Sequence, residues 1–320
     1  MYMLKYICKR VGLMLLTFAI IFTVCFVLIK MLPVDTSSVG IGEDASKLEA
    51  QLKARGYDKP ILEQYGLYIK RMFHGDFGIG INMPEYRGRE VWDVFAEKLP
   101  PTILINVYSS LFAVPIGIGL GILAALKKNK WQDHLISTAV MVFISVPAFV
   151  YASLFLYIFC FRLNWLPKTM NSGFDYFTWD MFKSMLPAVF SMSFGSIAGY
   201  ARFTRAELTE VLTGEFMLLA RTKGLTKAQA TTRHALRNAM VPIFPSIVGE
   251  FISVMSGSLI IEKIFSVPGV GNLYLAAINA PDYDFFMMLS GFYLLIGLAA
   301  ALVIDLSYGI IDPRIRMGAK

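Results

Sequence analysis

The sequence predicts an all-α integral membrane protein of about six transmembrane helices. Of its 320 residues, 56% are hydrophobic and only 17% charged, which is too apolar for an ordinary soluble domain. Several stretches of roughly 20 residues are almost free of charge, the length a helix needs to cross about 30 Å of hydrocarbon. The basic residues behind the net charge of +7 gather between those stretches. That grouping is a topology signal rather than a nucleic-acid surface.

The first apolar run, Val11 to Leu32, follows Lys5, Lys9 and Arg10. It outlasts the roughly 7–15 residues of a signal-peptide core and ends without a small-x-small cleavage site. A retained membrane helix is therefore predicted. Residues 33–102 form a long segment assigned to the outer face. Within it, Lys47 to Arg55 is charged and helix-compatible, and Ile61 to Phe73 keeps apolar residues at helical spacing. Short amphipathic helices are expected there, as a lid, a docking surface or passive packing. Gly75-Asp-Phe-Gly78 supplies a turn signal.

Five further spans follow: Ile103 to Leu126, Leu135 to Phe161, Met185 to Tyr200, Val241 to Ile261 and Phe285 to Ile311. The fourth is short and serine-rich, which suits a helix surrounded by other helices. The third and sixth exceed the minimum length and are expected to tilt or to project past the bilayer. More than half of the 30 Lys and Arg fall beside the N-terminus, at Lys127 to Lys130, in residues 202–240 and near Arg314, Arg316 and Lys320. Positive-inside bias then puts both termini and the 202–240 loop in the cytoplasm. One membrane domain, residues 1–320, is the economical assignment. No GxxxxGK[ST] occurs, so the chain lacks the loop that cradles nucleotide phosphates.

The cytoplasmic loop is the most informative segment. Leu212, Phe216 and Leu219 fall at i, i+4 and i+7 as an apolar stripe. Gly224 stands where a left-handed C-terminal cap needs a residue without Cβ. Thr226-Lys-Ala-Gln229 has the spacing of a capping box. Two short helices joined by a tight bend are predicted. Such a shape seats in a groove on a soluble partner, and it equally serves as a plain tether between spans.

The pattern of Glu215, Ala220, Gly224 and Asn238-Ala-x-x-Pro242 resembles the coupling loop of ATP-binding-cassette importer permeases. Ala220-Arg-Thr-Lys-Gly-Leu225 and Arg233-His-Ala-Leu-Arg-Asn238 resemble that family's peptide and nickel branch. Further matches are Asp58-Lys-Pro60, Gly75-Asp-Phe-Gly78, Leu99-Pro-Pro-Thr102, Phe265-Ser-Val-Pro-Gly-Val-Gly271 and Asp305 to Arg314. The long segment after the first span is similar to the first of the two permease subunits in such systems. Phe216-Met217, where the loop's usual pattern has alanines, and Pro281 to Phe286 depart from the family pattern.

The resemblance implies a type I importer fold and half of a translocation pathway for peptides, with nickel or another small solute as the alternative cargo. It implies a cell-membrane location and an ATPase-coupling loop using Glu215, Phe216, Leu219, Ala220, Arg221, Lys223, Gly224, Leu225 and Asn238. The implied partners are a second permease subunit in a heterodimer, two ATPase subunits carrying ATP with Mg²⁺, and an extracytoplasmic substrate-binding protein. The rival class is an ion-coupled transporter or channel, whose usual broken helices and repeats are not evident in the sequence.

Glu250 lies inside the fifth span, where an acid is costly and so is a functional candidate. It either lines the pathway or is satisfied by small polar neighbours. Asp305 is expected to anchor the Asp312-Pro-Arg314 end. Gly117-Ile-Gly-Leu-Gly121 and Gly195-Ser-Ile-Ala-Gly199 have the small-xxx-small spacing of close helix seams. His74, His134 and His234 are scattered, and Cys8, Cys25 and Cys160 lack CxxC spacing. No metal site, cofactor site or nucleophilic triad is expected, and hence no enzyme.

Overall fold

The computed structural model describes residues 2–31, 50, 52–173 and 175–311. Among them the chain is helical, with only isolated bridges pairing Ile79 with Glu90 and Gly80 with Arg87. It forms two compact units, Met1–Thr102 with Pro268–Leu298, and Ile103–Val267 with Ala299–Lys320.

The first unit contains helices α1 (Tyr2–Met31) and α2 (Ile61–Met72). It also holds the start of α3 (Val91–Leu126), all of α11 (Val270–Asn279) and the start of α12 (Tyr283–Ile311). On α1, Phe22, Phe26 and Ile29 are buried at i, i+4 and i+7 against Tyr68 of α2 and Tyr283 and Met287 of α12. The opposite face leaves Leu15, Leu16, Ile20 and Leu28 exposed. A helix apolar all round is built for lipid on one side and protein on the other.

Two pieces of sequence meet at α11. The buried Thr102 hydroxyl accepts the Val270 N–H at 2.9 Å, satisfying one free donor in the helix's first turn. Beside it, the segment before α3 is tied to the start of α12 by two buried carboxylates. Asp284 accepts the Ile79 N–H at 3.0 Å and the Tyr57 hydroxyl. Asp282 accepts the N–H groups of Ile81 and Asn82, both at 2.7 Å. Burial raises the Tyr57 hydroxyl pKa well above its ordinary value, and the Asp284 charge adds to this. Pro281 to Phe286, which departs from the family pattern, is therefore an anchor.

The second unit contains the rest of α3, then α4 (Trp131–Ser145), α5 (Ala148–Phe155) and α6 (Trp179–Thr213). The loop helices α7 (Glu215–Thr222) and α8 (Lys227–Ala230) follow, then α9 (Leu236–Ser253) and α10 (Leu259–Ile264). Gly117 and Gly121 of α3 lie directly on α6. A Cβ at Gly117 would stand 2.7 Å from Tyr200 Cβ, and one at Gly121 2.6 Å from Thr204 Cβ. The first small-residue motif is thus an intramolecular seam. Gly195 borders Tyr151, and a Cβ at Gly199 would meet nothing within 4 Å.

Among the described residues, four helices are long and apolar enough to cross a membrane: Tyr6–Met31, Val91–Leu126, Lys227–Ser256 and Tyr283–Ser307. A bent pair, Trp131–Ser145 with Ala148–Arg162, makes up to five. The predicted fourth span sits inside α6, which has 35 residues but is less apolar.

Three boundaries differ from expectation. The third span is not one tilted helix: it bends by 103° at Val146, which is extended (φ −87°, ψ 128°) ahead of Pro147. A residue before proline is pushed out of the helical region, and proline has no N–H to continue the ladder. The fifth span ends near Ser256 rather than Ile261, because Gly257 takes φ +61° and Ser258 caps α10 with its hydroxyl. The second helix starts twelve residues early, at Val91, and runs through Pro100 and Pro101.

Candidate functional site

The loop between α6 and α9 is specified residue by residue. α6 stops at Thr213, and Gly214 is extended (φ −69°, ψ 151°) before α7 begins. At the other end of α7, Gly224 has φ +88°. Its N–H donates to Arg221 C=O at 3.0 Å, and the Leu225 N–H donates to Ala220 C=O at 3.3 Å. This pair of bonds is the Schellman C-cap, and Leu225 and Ala220 supply its hydrophobic contact.

Thr226 then starts α8. Its hydroxyl accepts the Gln229 N–H at 3.3 Å, while Gln229 Oε1 accepts the Thr226 N–H at 3.0 Å. Both halves of the capping box are made. The chain passes through a wider-wound π turn, Thr231–Ala235, into α9, a feature frequent at functional sites.

The expected apolar stripe is corrected by this geometry. Gly214 separates Leu212 from α7, so helical spacing does not carry across it. The buried face of α7 is Met217 and Ala220, packed with Leu208, Ala230, Ala235 and Ala239. Leu218 and Leu219 point outward, 67% and 56% exposed. The side chain of Phe216 lies outside the described residues. Glu215, Arg221, Lys223 and Asn238 are exposed, and Leu225 is half-buried. Apolar side chains on a basic rim thus face outward from a firmly capped bend.

Glu250 is half-buried in α9 and has a partner on another helix. The Ser196 hydroxyl of α6 donates to Glu250 Oε1 at 2.9 Å. Two and a half turns further along α6, Arg205 holds Asp133 of α4 bidentately, Nε to Oδ1 at 2.5 Å and Nη2 to Oδ2 at 2.8 Å. Asp133 also accepts the Asn129 N–H at 2.9 Å, fixing a turn in which Asn129 has φ +62°. From the sequence alone, Arg205 is only one of the basic residues of the 202–240 loop. An acid two residues before one span and a basic residue five residues beyond another, both at the same membrane face, are the available signal.

Asp305 is half-buried in α12, and the Asp312 to Arg314 end lies outside the described residues. Cys160 is buried, Cys8 exposed, and all three cysteines are free. Among the described residues no group of His, Cys, Asp or Glu is placed to hold a metal.

Residues 117–317 match the family model of the binding-protein-dependent transport system inner membrane component, and residues 3–106 match the model of its N-terminal part. The dipeptide transport system permease protein DppB of Lactococcus lactis is 34% identical over 98% of this chain and all of its own. DppB of Bacillus subtilis is 32% identical over 99% of this chain and all of its own. The glutathione transport system permease protein GsiC of Escherichia coli K12 is 33% identical over 98% of this chain and 99% of its own.

Among solved structures, the MetNI methionine ABC transporter in inward-facing conformations superposes with a TM-score of 0.51 at 15% identity. It covers 68% of this chain and 97% of its own, a likeness of fold. Members of this class are transport components rather than enzymes, and the multiple apolar helices place the chain in a membrane. The chain belongs to the inner-membrane component family of binding-protein-dependent transport systems, the permeases of ATP-binding-cassette importers.

Proposed function

We propose that the chain forms half of the pathway through which an ATP-driven importer admits di- and oligopeptides, and that Glu215 to Asn238 is where a separate ATPase drives it. The observation that carries this is the capped bend at Gly224, which presents Leu218 and Leu219 outward on a basic rim. A tether has no need of outward leucines, whereas a helix seated in a partner's groove does. Relatives named for dipeptide and glutathione transport support a peptide cargo, and nickel is the alternative to test against it.

The working assembly pairs this chain with a second, different permease subunit, two ATPase subunits binding ATP with Mg²⁺, and an extracytoplasmic binding protein. Both termini and residues 202–240 are cytoplasmic, and residues 33–102 face outward.

The test is uptake and ATP hydrolysis measured together in reconstituted vesicles. A Cβ at Gly224 meets nothing within 4 Å, so its replacement acts only through backbone conformation. Valine at φ +88° pays roughly 1–2 kcal/mol, while asparagine tolerates that region. Gly224→Val and Leu219→Asp should assemble yet lose uptake, and Gly224→Asn should retain most of it. Normal uptake by assembled Gly224→Val and Leu219→Asp complexes refutes the coupling role. Competition by a panel of peptides and nickel decides the cargo.

A further inference from the structure

We infer that the small cavity among α1, α2 and α12 binds one monatomic anion of the halide class. The cavity, of about 10 Å³, lies within the first unit and is lined by Lys30, Arg55, Gln64, Tyr68, Arg71 and Asp284. That is room for a single particle of about water size, which excludes polyatomic anions such as sulfate.

The wall has more open donors than acceptors. Arg71 Nε and Nη1 and the Tyr68 hydroxyl are buried without a hydrogen-bond partner, and Gln64 Oε1 is the one acceptor of the wall in that state among the described residues. Tyr68 is 3% exposed and stands three residues before Arg71, so the two share a face of α2. Burial, and then the charge of Asp284, raises the Tyr68 hydroxyl pKa well above its ordinary value, which keeps it a donor.

The wall also carries surplus positive charge. Arg55 is paired with Asp76, Nη1 to Oδ1 at 2.8 Å. Asp282 turns to the N–H groups of Ile81 and Asn82 and is not in the wall. Lys30 and Arg71 thus share the one carboxylate of Asp284, which already accepts the Ile79 N–H and the Tyr57 hydroxyl. Lys30 Nζ lies 4.0 Å from the ring centroid of Tyr283 and 4.3 Å from that of Tyr57, and ring faces attract a cation without neutralising it. Water would satisfy the donors, but an uncompensated buried charge is costly; an anion answers both deficits. Because the wall lies inside the packing of α2 on α1 and α12, occupancy braces that joint. Neither the cargo nor the coupling role of the loop enters.

The test uses the complete transporter crystallised from bromide, whose anomalous scattering separates it from water. A bromide peak beside Arg71 and Tyr68 is expected in the wild type. Lys30→Met keeps the unbranched stem, removes the surplus charge and should leave no peak. In solution, the thermal midpoint is read with chloride replacing gluconate at constant ionic strength. At about ten times its dissociation constant, a ligand of the folded state multiplies the folded-to-unfolded ratio about elevenfold. The wild-type midpoint should therefore rise, that of Lys30→Met should not, and sulfate should not substitute. A wild type without the peak overturns the inference and leaves water as the occupant. So does an equal chloride response from wild type and variant, which places the anion elsewhere. An equal response to sulfate overturns it as well, by making the effect one of general ions. If Lys30→Met does not assemble, the wild-type peak decides alone.

Discussion

Removing Arg205 should cost more than neutralising the acid it holds, because the two partners differ in burial. The Asp133 side chain is 2% exposed and that of Arg205 is 35% exposed. Arg205→Ala strands a buried carboxylate with only the Asn129 N–H at 2.9 Å and the Ser137 hydroxyl at 3.3 Å. Breaking a buried pair by deleting one partner costs about 3–5 kcal/mol, and the open edge at Arg205 puts this case at the low end. Asp133→Asn keeps an acceptor for Asn129, and the freed guanidinium can turn to water, so about 1–2 kcal/mol is expected. The assay is reaction of buried Cys160, 1% exposed, with a thiol-reactive fluorophore on heating, with Cys8 and Cys25 replaced by serine. At roughly 2–4 °C per kcal/mol, the low-end figure of about 3 kcal/mol means that Arg205→Ala should lower the apparent midpoint by roughly 6–12 °C, and Asp133→Asn, at about 1–2 kcal/mol, by roughly a third to two thirds as much. An Asp133→Asn shift equal to or larger than that of Arg205→Ala refutes the reasoning.

Gly121→Val should prevent accumulation of folded protein, since a Cβ there stands 2.6 Å from Thr204 Cβ and 2.7 Å from the Ala201 carbonyl oxygen. Gly119→Val, where a Cβ meets nothing within 4 Å, should leave the size-exclusion peak of the detergent-extracted protein unchanged; equal loss in both denies the seam its role. For topology, single cysteines at the exposed positions Asp58 and Ser172 should react with an impermeant reagent added outside intact cells. One at Lys128 should not, and its labelling would reverse the proposed orientation.

What was legible in the sequence is what local chemistry decides. Gly224 and the Thr226 to Gln229 box were read correctly because a positive φ and a four-residue hydrogen-bond cycle need no distant partner. The stripe through Leu212, Phe216 and Leu219 failed because helical periodicity was carried across Gly214, an extended residue. The bend at Val146-Pro147 was hidden by an unbroken apolar run, which reports burial in lipid but says nothing of helix continuity. The pairs Ser196 with Glu250 and Asp133 with Arg205 join residues 54 and 72 positions apart. No periodicity within one span reveals them, and membrane charges read as topology marks conceal the partners they hold.

On the proposed reading, these two pairs bear on how a contact at the loop reaches the helices beyond it. Ser196 and Arg205 lie on one unbroken helix, α6, about 13 Å apart at 1.5 Å per residue. Arg205 locks that helix to the α3–α4 turn at its loop end, and Ser196 locks it to Glu250 of α9 deeper in. Nine residues beyond Arg205, Gly214 hands the chain to α7. On the proposed reading, a force applied at Leu218 and Leu219 acts on a helix that cannot slide without straining one pair or the other. An effector shifts two states only by its differential free energy for them. A buried bidentate pair within two and a half turns of the loop is where such a difference can be stored, and breaking it should uncouple hydrolysis from transport as well as lower stability.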